Sequence, residues 1–122
     1  MAQLSEREWT VLSALWESAA GVSLGELTEA LRPETGWSRN TVLTYLTRME
    51  KKGLVAIEKE GYPHRYRAAL DRETCRARER QSFLDRVYRG SAGDLVAAFL
   101  KESPLSADER DRLKALLDEM EV

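Results

Sequence analysis

Side chains able to do chemistry are unevenly spread along this 122-residue chain. The single histidine, His64, stands in a Tyr62-Pro63-His64-Arg65 turn, which suits an exposed loop residue better than a base or a metal ligand. The single cysteine, Cys75, lies among Arg72, Arg76 and Arg78. Neighbouring cations can depress a thiol pKa, but one thiol makes neither an intrachain disulfide nor a zinc cluster. The sequence has no Ser-x-x-Lys pair, glycine-rich phosphate loop or His-Glu-x-x-His helix. Its carboxylates fall beside Arg and Lys at helix-surface spacing, the pattern of solvated faces. No set of residues for catalysis, a metal or a cofactor is assembled. What does assemble is cationic and hydrogen-bonding: Ser38-Arg39-Asn40-Thr41, then Leu43, Thr44, Thr47, Arg48, Lys51 and Lys52, and further on His64, Arg65 and Arg67.

The elements that must hold these residues are legible from caps and periods. Ser5 and Glu8 have capping-box spacing, and Trp9, Leu12 and Trp16 follow at helical spacing toward Gly21. A second box, Ser23 with Glu26, opens a short helix carrying Leu24, Leu27 and Leu31 that should stop before Pro33. Glu34 to Trp37 reads as a turn. Ser38 caps a third helix with Val42, Tyr45, Leu46 and Met49 inward, ended by Lys51, Lys52 and Gly53. Residues 54–60 are strand-like, Gly61 to His64 form a turn, and Arg65 to Ala68 alternate basic with apolar as a half-buried return strand does. Asp71 begins a long helix to about Arg89, a short helix carries Leu95 to Leu100, and a third capping box, Ser106 with Glu109, opens the last one. The expectation is a mainly α fold with a small β-hairpin wing: a winged helix-turn-helix over residues 1–70 and a helical region over 71–122.

Net charge refines the functional reading. Nineteen Lys and Arg against 21 Asp and Glu give −2, which argues against a polyanionic partner if taken whole. Yet residues 36–67 hold seven basic residues and three acids, a local +4, while the end of the chain, from Asp108 to Glu121, is acidic. An α-helix fits the major groove of B-DNA and reads base edges with its N-terminal residues. With Val42, Tyr45, Leu46 and Met49 inward, Arg39, Asn40, Leu43, Thr44 and Thr47 face outward, with Thr41 beside them. Arg39 suits guanine or phosphate, Asn40 adenine, and Leu43 a thymine methyl. Arg65, Arg67 and Lys59 place charge on the wing, with His64 and Tyr62 near its tip, while Arg48, Lys51 and Lys52 meet phosphates or cap the helix. The competing reading is a winged-helix module that binds a protein partner without sequence-specific DNA contact. The start of the chain lacks the apolar core of a signal peptide, and no run approaches membrane-spanning length, so a cytoplasmic protein without membrane insertion is expected.

Three motifs resemble the penicillinase repressor and methicillin-resistance regulator family of winged-helix repressors. They are Leu4-Ser5-x-x-Glu8-Trp9-x-x-Leu12-x-x-Leu15-Trp16; Gly36-Trp37-Ser38-x-x-Thr41-Val42-x-Thr44-x-Leu46-Thr47-Arg48-Met49-x-Lys51-Lys52-Gly53-Leu54; and Phe83-Leu84-x-Arg86-Val87-Tyr88-x-Gly90 with Leu95-Val96. The resemblance implies a homodimer that represses transcription from a palindromic operator, such as that of β-lactam resistance genes. It also implies relief by a membrane-bound sensor metalloprotease that cuts an Asn–Phe bond in the dimerisation region. The corresponding position here is Ala98-Phe99, so the phenylalanine is kept and the asparagine is not. Copper-responsive relatives carry a C-terminal cysteine pair, which this chain lacks.

The C-terminal stripes agree with dimerisation on their own terms. Phe83, Leu84, Val87 and Tyr88, then Leu95, Val96, Phe99 and Leu100, then Leu113, Leu116, Leu117 and Met120 lie on three short elements. These are too few to close a core alone, and pairing two copies would bury them.

Overall fold

The computed structural model describes residues 3–120. The described residues form α1 (Glu6–Trp16), α2 (Leu24–Thr35), α3 (Arg39–Lys51), β1 (Val55–Glu58), β2 (Arg65–Ala68), α4 (Arg72–Tyr88), α5 (Ala92–Glu102) and α6 (Ala107–Glu119). Two compact units divide inside α4, after Arg80. The sequence pattern puts its change of task at residues 70 and 71. Packing carries the N-terminal unit further, because Cys75 is buried in its core and Glu79 Oε1 accepts the Leu4 N–H at 3.1 Å.

In the N-terminal unit, α1 is capped as its sequence requires. Ser5 Oγ accepts the Glu8 N–H at 3.1 Å, and Glu8 Oε1 accepts the Ser5 N–H at 2.9 Å. The helix stops at Trp16, short of Gly21. A turn intervenes, and the chain then extends so that Val22 and Tyr66 exchange two backbone hydrogen bonds of 2.9 and 2.8 Å. Gly21 makes this approach feasible. Its φ is +88°, and a Cβ there would sit 3.2 Å from the Tyr66 carbonyl oxygen.

Helix α2 runs through Pro33 to Thr35, past the expected stop. Proline removes one N–H, but here the loss falls in the last turn on an exposed face. Thr35 Oγ1 donates to the Leu31 carbonyl at 2.8 Å, and the Gly36 N–H donates to that of Arg32 at 2.9 Å. Gly36, left-handed at φ 65°, is the true terminator. Helix α3 follows Ser38, whose Oγ accepts the Thr41 N–H at 3.2 Å.

The core joins Val11, Leu12 and Leu15 of α1 to Leu27 and Leu31 of α2 and to Val42, Leu46 and Met49 of α3. Leu54, Val55, Tyr66 and Cys75 close it. Each fully buried Leu or Val contributes about 1.5–3 kcal/mol relative to exposure. The strands pair antiparallel with Val55 opposite Ala68, Ala56 opposite Arg67, Ile57 opposite Tyr66 and Glu58 opposite Arg65.

In the C-terminal unit, the later turns of α4 end at Tyr88, with Arg89 and Gly90 at positive φ. Ser91 caps α5, and the Ser106–Glu109 box caps α6. No residue of α5 or α6 is buried. Leu84, Tyr88, Leu95, Ala98 and Leu113 are half-buried, while Phe83, Val87, Val96, Phe99, Leu100, Leu116 and Leu117 are exposed. Glu121, the last acid of the acidic end, lies outside the described residues. Among the described residues, no helix is long and apolar enough to cross a membrane.

Candidate nucleic-acid interface

The exposed face of α3 follows from its buried one. Val42, Leu46 and Met49 are fully enclosed, which turns Arg39, Asn40, Leu43, Thr44 and Thr47 outward at three- and four-residue spacing. Leu43 is exposed among polar neighbours. Thr41 is half-buried, and its hydroxyl lies 3.1 Å from Ser38 Oγ, so it belongs partly to the cap. The other two hydroxyls point back along the helix. Thr44 Oγ1 donates to the Asn40 carbonyl and Thr47 Oγ1 to the Leu43 carbonyl, each at 2.9 Å. With its proton so used, each threonine offers outward a methyl group and acceptor lone pairs.

The wing presents its charge by strand alternation. Tyr66 is buried while Arg65 and Arg67, its neighbours on β2, are exposed. Beyond them Tyr62, Pro63 and His64 form an exposed tip. Ser23, Leu24 and Gly25 at the start of α2, Arg39 at the start of α3, and Tyr62, Pro63, His64 and Tyr66 of the wing line one cleft of about 220 Å³. Arg39 and His64, 25 positions apart in sequence, thus share a single concavity. At its edge, the backbone and side chain of Ser23 hold the Glu26 carboxyl below its ordinary pKa, with a minor contribution from Arg65.

The basic residues at the far end of α3 divide. Arg48 and Lys51 are exposed. Lys52 is engaged, because its Nζ donates to Glu8 Oε2 at 2.7 Å. Burial pushes the Glu8 carboxyl up, but hydrogen bonds from Lys52 and Ser5, together with the Lys52 charge, outweigh it and hold the pKa below the ordinary value. On the wing side, Lys59 lies 3.6 Å from Glu50.

Several positioning residues escape a local reading. Trp37 stacks on Tyr45 with ring centroids 4.8 Å apart, and Arg7 Nη1 donates to the Tyr45 hydroxyl at 3.2 Å. Tyr45 is therefore half-buried, not a full member of the core. The stack and the Trp37 N–H bond to Thr35 Oγ1, 3.2 Å long, fix the turn into α3. The aromatic types of Trp37 at the entry to α3 and Tyr45 in its middle were the available signal; the Glu8–Lys52 pair left none.

The residues considered for catalysis stand apart. His64 is exposed, and Cys75 is buried, with desolvation raising its thiol pKa despite the charge of Arg78. Among the described residues, no three His, Cys, Asp or Glu side chains gather where they could hold a metal ion.

Three helices closed by a two-stranded wing, with a capped and outward-facing third helix, define a winged helix-turn-helix protein. Comparison with known proteins narrows this. The chain belongs to the penicillinase repressor family, whose model matches residues 4–119, and whose members are transcriptional repressors and not enzymes. It is 31% identical over 117 residues to the penicillinase repressor of Bacillus licheniformis, covering 96% of this chain and 91% of that protein. It is 27% identical over 116 residues to the methicillin resistance regulatory protein MecI of Staphylococcus aureus strain N315, covering 95% and 94%. The solution structure of monomeric Bacillus licheniformis BlaI in complex with the blaP half-operator matches with a TM-score of 0.51 and 29% identity, over 59% of this chain and 87% of that one.

Proposed function

We propose that this protein is a cytoplasmic, homodimeric repressor that binds a palindromic operator through α3 and the wing of each copy. The observation that carries the reading is that Arg39 and the wing tip line one cleft, beside an outward face of Asn40, Leu43, Thr44 and Thr47. The relative whose solved structure includes a half-operator supports the same partner. In this reading α3 lies in the major groove. Asn40 and Arg39 address base edges, Leu43 and the two threonine methyls meet thymine methyls, and Thr41 borders the phosphates. Arg48, Lys51, His64, Arg65 and Arg67 orient the protein on the backbone, while Lys52 acts through Glu8 in holding α3.

Of the C-terminal region that the sequence sets apart at 71–122, the part after Arg80 supplies the dimer. The exposed Phe83, Val87, Val96, Phe99, Leu100, Leu116 and Leu117, with the half-buried Leu84, Tyr88, Leu95 and Leu113, are the apolar surface that pairing would cover. Two-fold pairing matches two inverted half-sites. Relief follows from cutting between Ala98 and Phe99 by a membrane-bound sensor metalloprotease. That bond lies inside α5, so the helix must open locally, and the cut would detach α6 and weaken paired-site binding. Regulation of β-lactam resistance genes is the corresponding role.

Duplex binding measured across a salt series tests the DNA reading. Several phosphate contacts per copy give a steep linear fall of log affinity with log salt, at about 0.9 per phosphate neutralised. A flat response, or no binding at low salt, leaves the protein-binding module as the better description.

A further inference from the structure

We propose that a second cleft, between the end of α1 and the end of β2, binds a small aromatic carboxylate that takes Arg67 away from DNA. The binding step stands by itself, and only its effect on DNA rests on the DNA reading above. The cleft, of about 390 Å³, lies wholly within the N-terminal unit and shares no residue with the one lined by Arg39 and His64. Its size is that of small-molecule sites, about 300–1,000 Å³. Leu15, Trp16, Ala68 and Leu70 give it apolar surface. Trp16 Nε1 donates to the Leu70 carbonyl at 2.9 Å, so the one donor of the indole is already used and carbon is what it offers a ligand.

The polar side chains around this surface select the ligand. Ser18 Oγ donates to the Gly21 carbonyl at 3.4 Å, and the Asp71 carboxylate accepts the Thr74 N–H at 2.8 Å at the start of α4. Arg67 differs from both. Its guanidinium has no hydrogen bond or ion pair among the described residues, and the residue opposite it on β1 is Ala56. Arg65, by contrast, stands opposite Glu58. A guanidinium with unused donors takes a carboxylate through two parallel hydrogen bonds. A ring carried by that carboxylate packs against Trp16, and ring pairs gain more than their buried area gives. The cleft therefore suits one negative carboxylate on a planar apolar body. Arg67 is also a cation of the wing, and it cannot serve a phosphate and a ligand carboxylate together. Ligand and DNA then weaken each other by the same factor.

Benzoate is the probe, and benzamide is its uncharged counterpart. The full-length protein, isotope-labelled for NMR, is titrated with each, and the Trp16 indole N–H and the Ala68 and Ala69 amides are followed. Benzoate should shift these resonances saturably. Benzamide on the parent, and benzoate on Arg67→Gln, should bind about tenfold more weakly or worse, while Arg65→Gln binds benzoate as the parent does. Circular dichroism confirms that both variants stay folded, as exposed side chains allow. Benzoate should then weaken binding of a mixed-sequence duplex relative to sodium chloride of equal ionic strength, and lower the salt slope by about 0.9 per copy. Arg67→Gln, which has already lost that contact, should not respond. No saturable shift at Trp16 overturns the proposal, and so does benzamide binding as tightly as benzoate, or Arg67→Gln binding benzoate as the parent does. Benzoate that binds the parent yet leaves duplex affinity at its chloride value overturns the competition for Arg67. A parent that binds no duplex removes the DNA reading and leaves the carboxylate site to stand or fall on the NMR titrations.

Discussion

Replacing Glu8 should damage the protein far more than its place in a helical first turn suggests. The carboxylate does two jobs. Oε1 accepts the Ser5 N–H at 2.9 Å, and Oε2 accepts from Lys52 Nζ at 2.7 Å, joining the start of α1 to the end of α3. Losing the cap bond costs about 1 kcal/mol. The ion pair lies between two regimes, with the Glu8 side chain 6% exposed and that of Lys52 50% exposed. Exposed pairs contribute about 0–1 kcal/mol, and breaking buried ones costs about 3–5 kcal/mol, so about 1.5 kcal/mol is reasonable here. Glu8→Ala should therefore lose about 2.5 kcal/mol, or roughly 10–20 °C in Tm for a unit of this size. Glu8→Gln keeps a cap-competent side chain and loses only the charge, so about 1 kcal/mol is expected.

Urea and thermal unfolding followed by circular dichroism read both variants. A double-mutant cycle with Lys52→Met isolates the pair, with an expected coupling of about 1 kcal/mol or more. The pH dependence has a definite sign. The folded pKa of Glu8 is below its ordinary value of 4.5, so its contribution is complete above that value. It is lost as pH falls through the lower folded pKa, and Glu8→Gln lacks that part of the acid sensitivity. Zero coupling, or a Glu8→Ala variant within about 0.5 kcal/mol of the parent, would refute this use of the carboxylate.

Other substitutions separate the parts of the proposed interface. Asn40→Ala should relax preference at one base position by roughly 1–3 kcal/mol, read by sequence selection, while leaving the salt slope unchanged. Arg65→Ala and Arg67→Ala should each weaken specific and nonspecific duplexes alike and reduce the salt slope by about one. Phe99→Asp should shift the protein toward monomer in sedimentation velocity, because it places a charge in the apolar surface that pairing would bury.

Much of this architecture is written in local chemistry. Ser5, Ser23, Ser38 and Ser106 are caps because a hydroxyl one residue before a helix satisfies a free N–H, and all four do so. The outward placement of Arg65 and Arg67 follows from the two-residue strand period around Tyr66. Departures arise where a long-range or terminal interaction decides. Helix α2 passes Pro33 because the lost donor falls in the last turn, where the Thr35 hydroxyl and Gly36 finish the ladder. Helix α1 stops early because Val22 is drawn into pairing with Tyr66, 44 residues away. The Glu8–Lys52 bond spans the same separation and has no local signature. By contrast, the hydroxyls of Thr44 and Thr47 were predictable, since threonine in a helix commonly bonds back to the carbonyl four residues earlier.

The most direct test selects genomic fragments bound by the purified full-length chain and sequences them. A repressor using two copies of α3 should enrich one motif made of two inverted half-sites separated by about one helical turn or a multiple of it. Enrichment of a single unpaired half-site would contradict the dimer, and the absence of any enriched sequence would contradict base reading by α3.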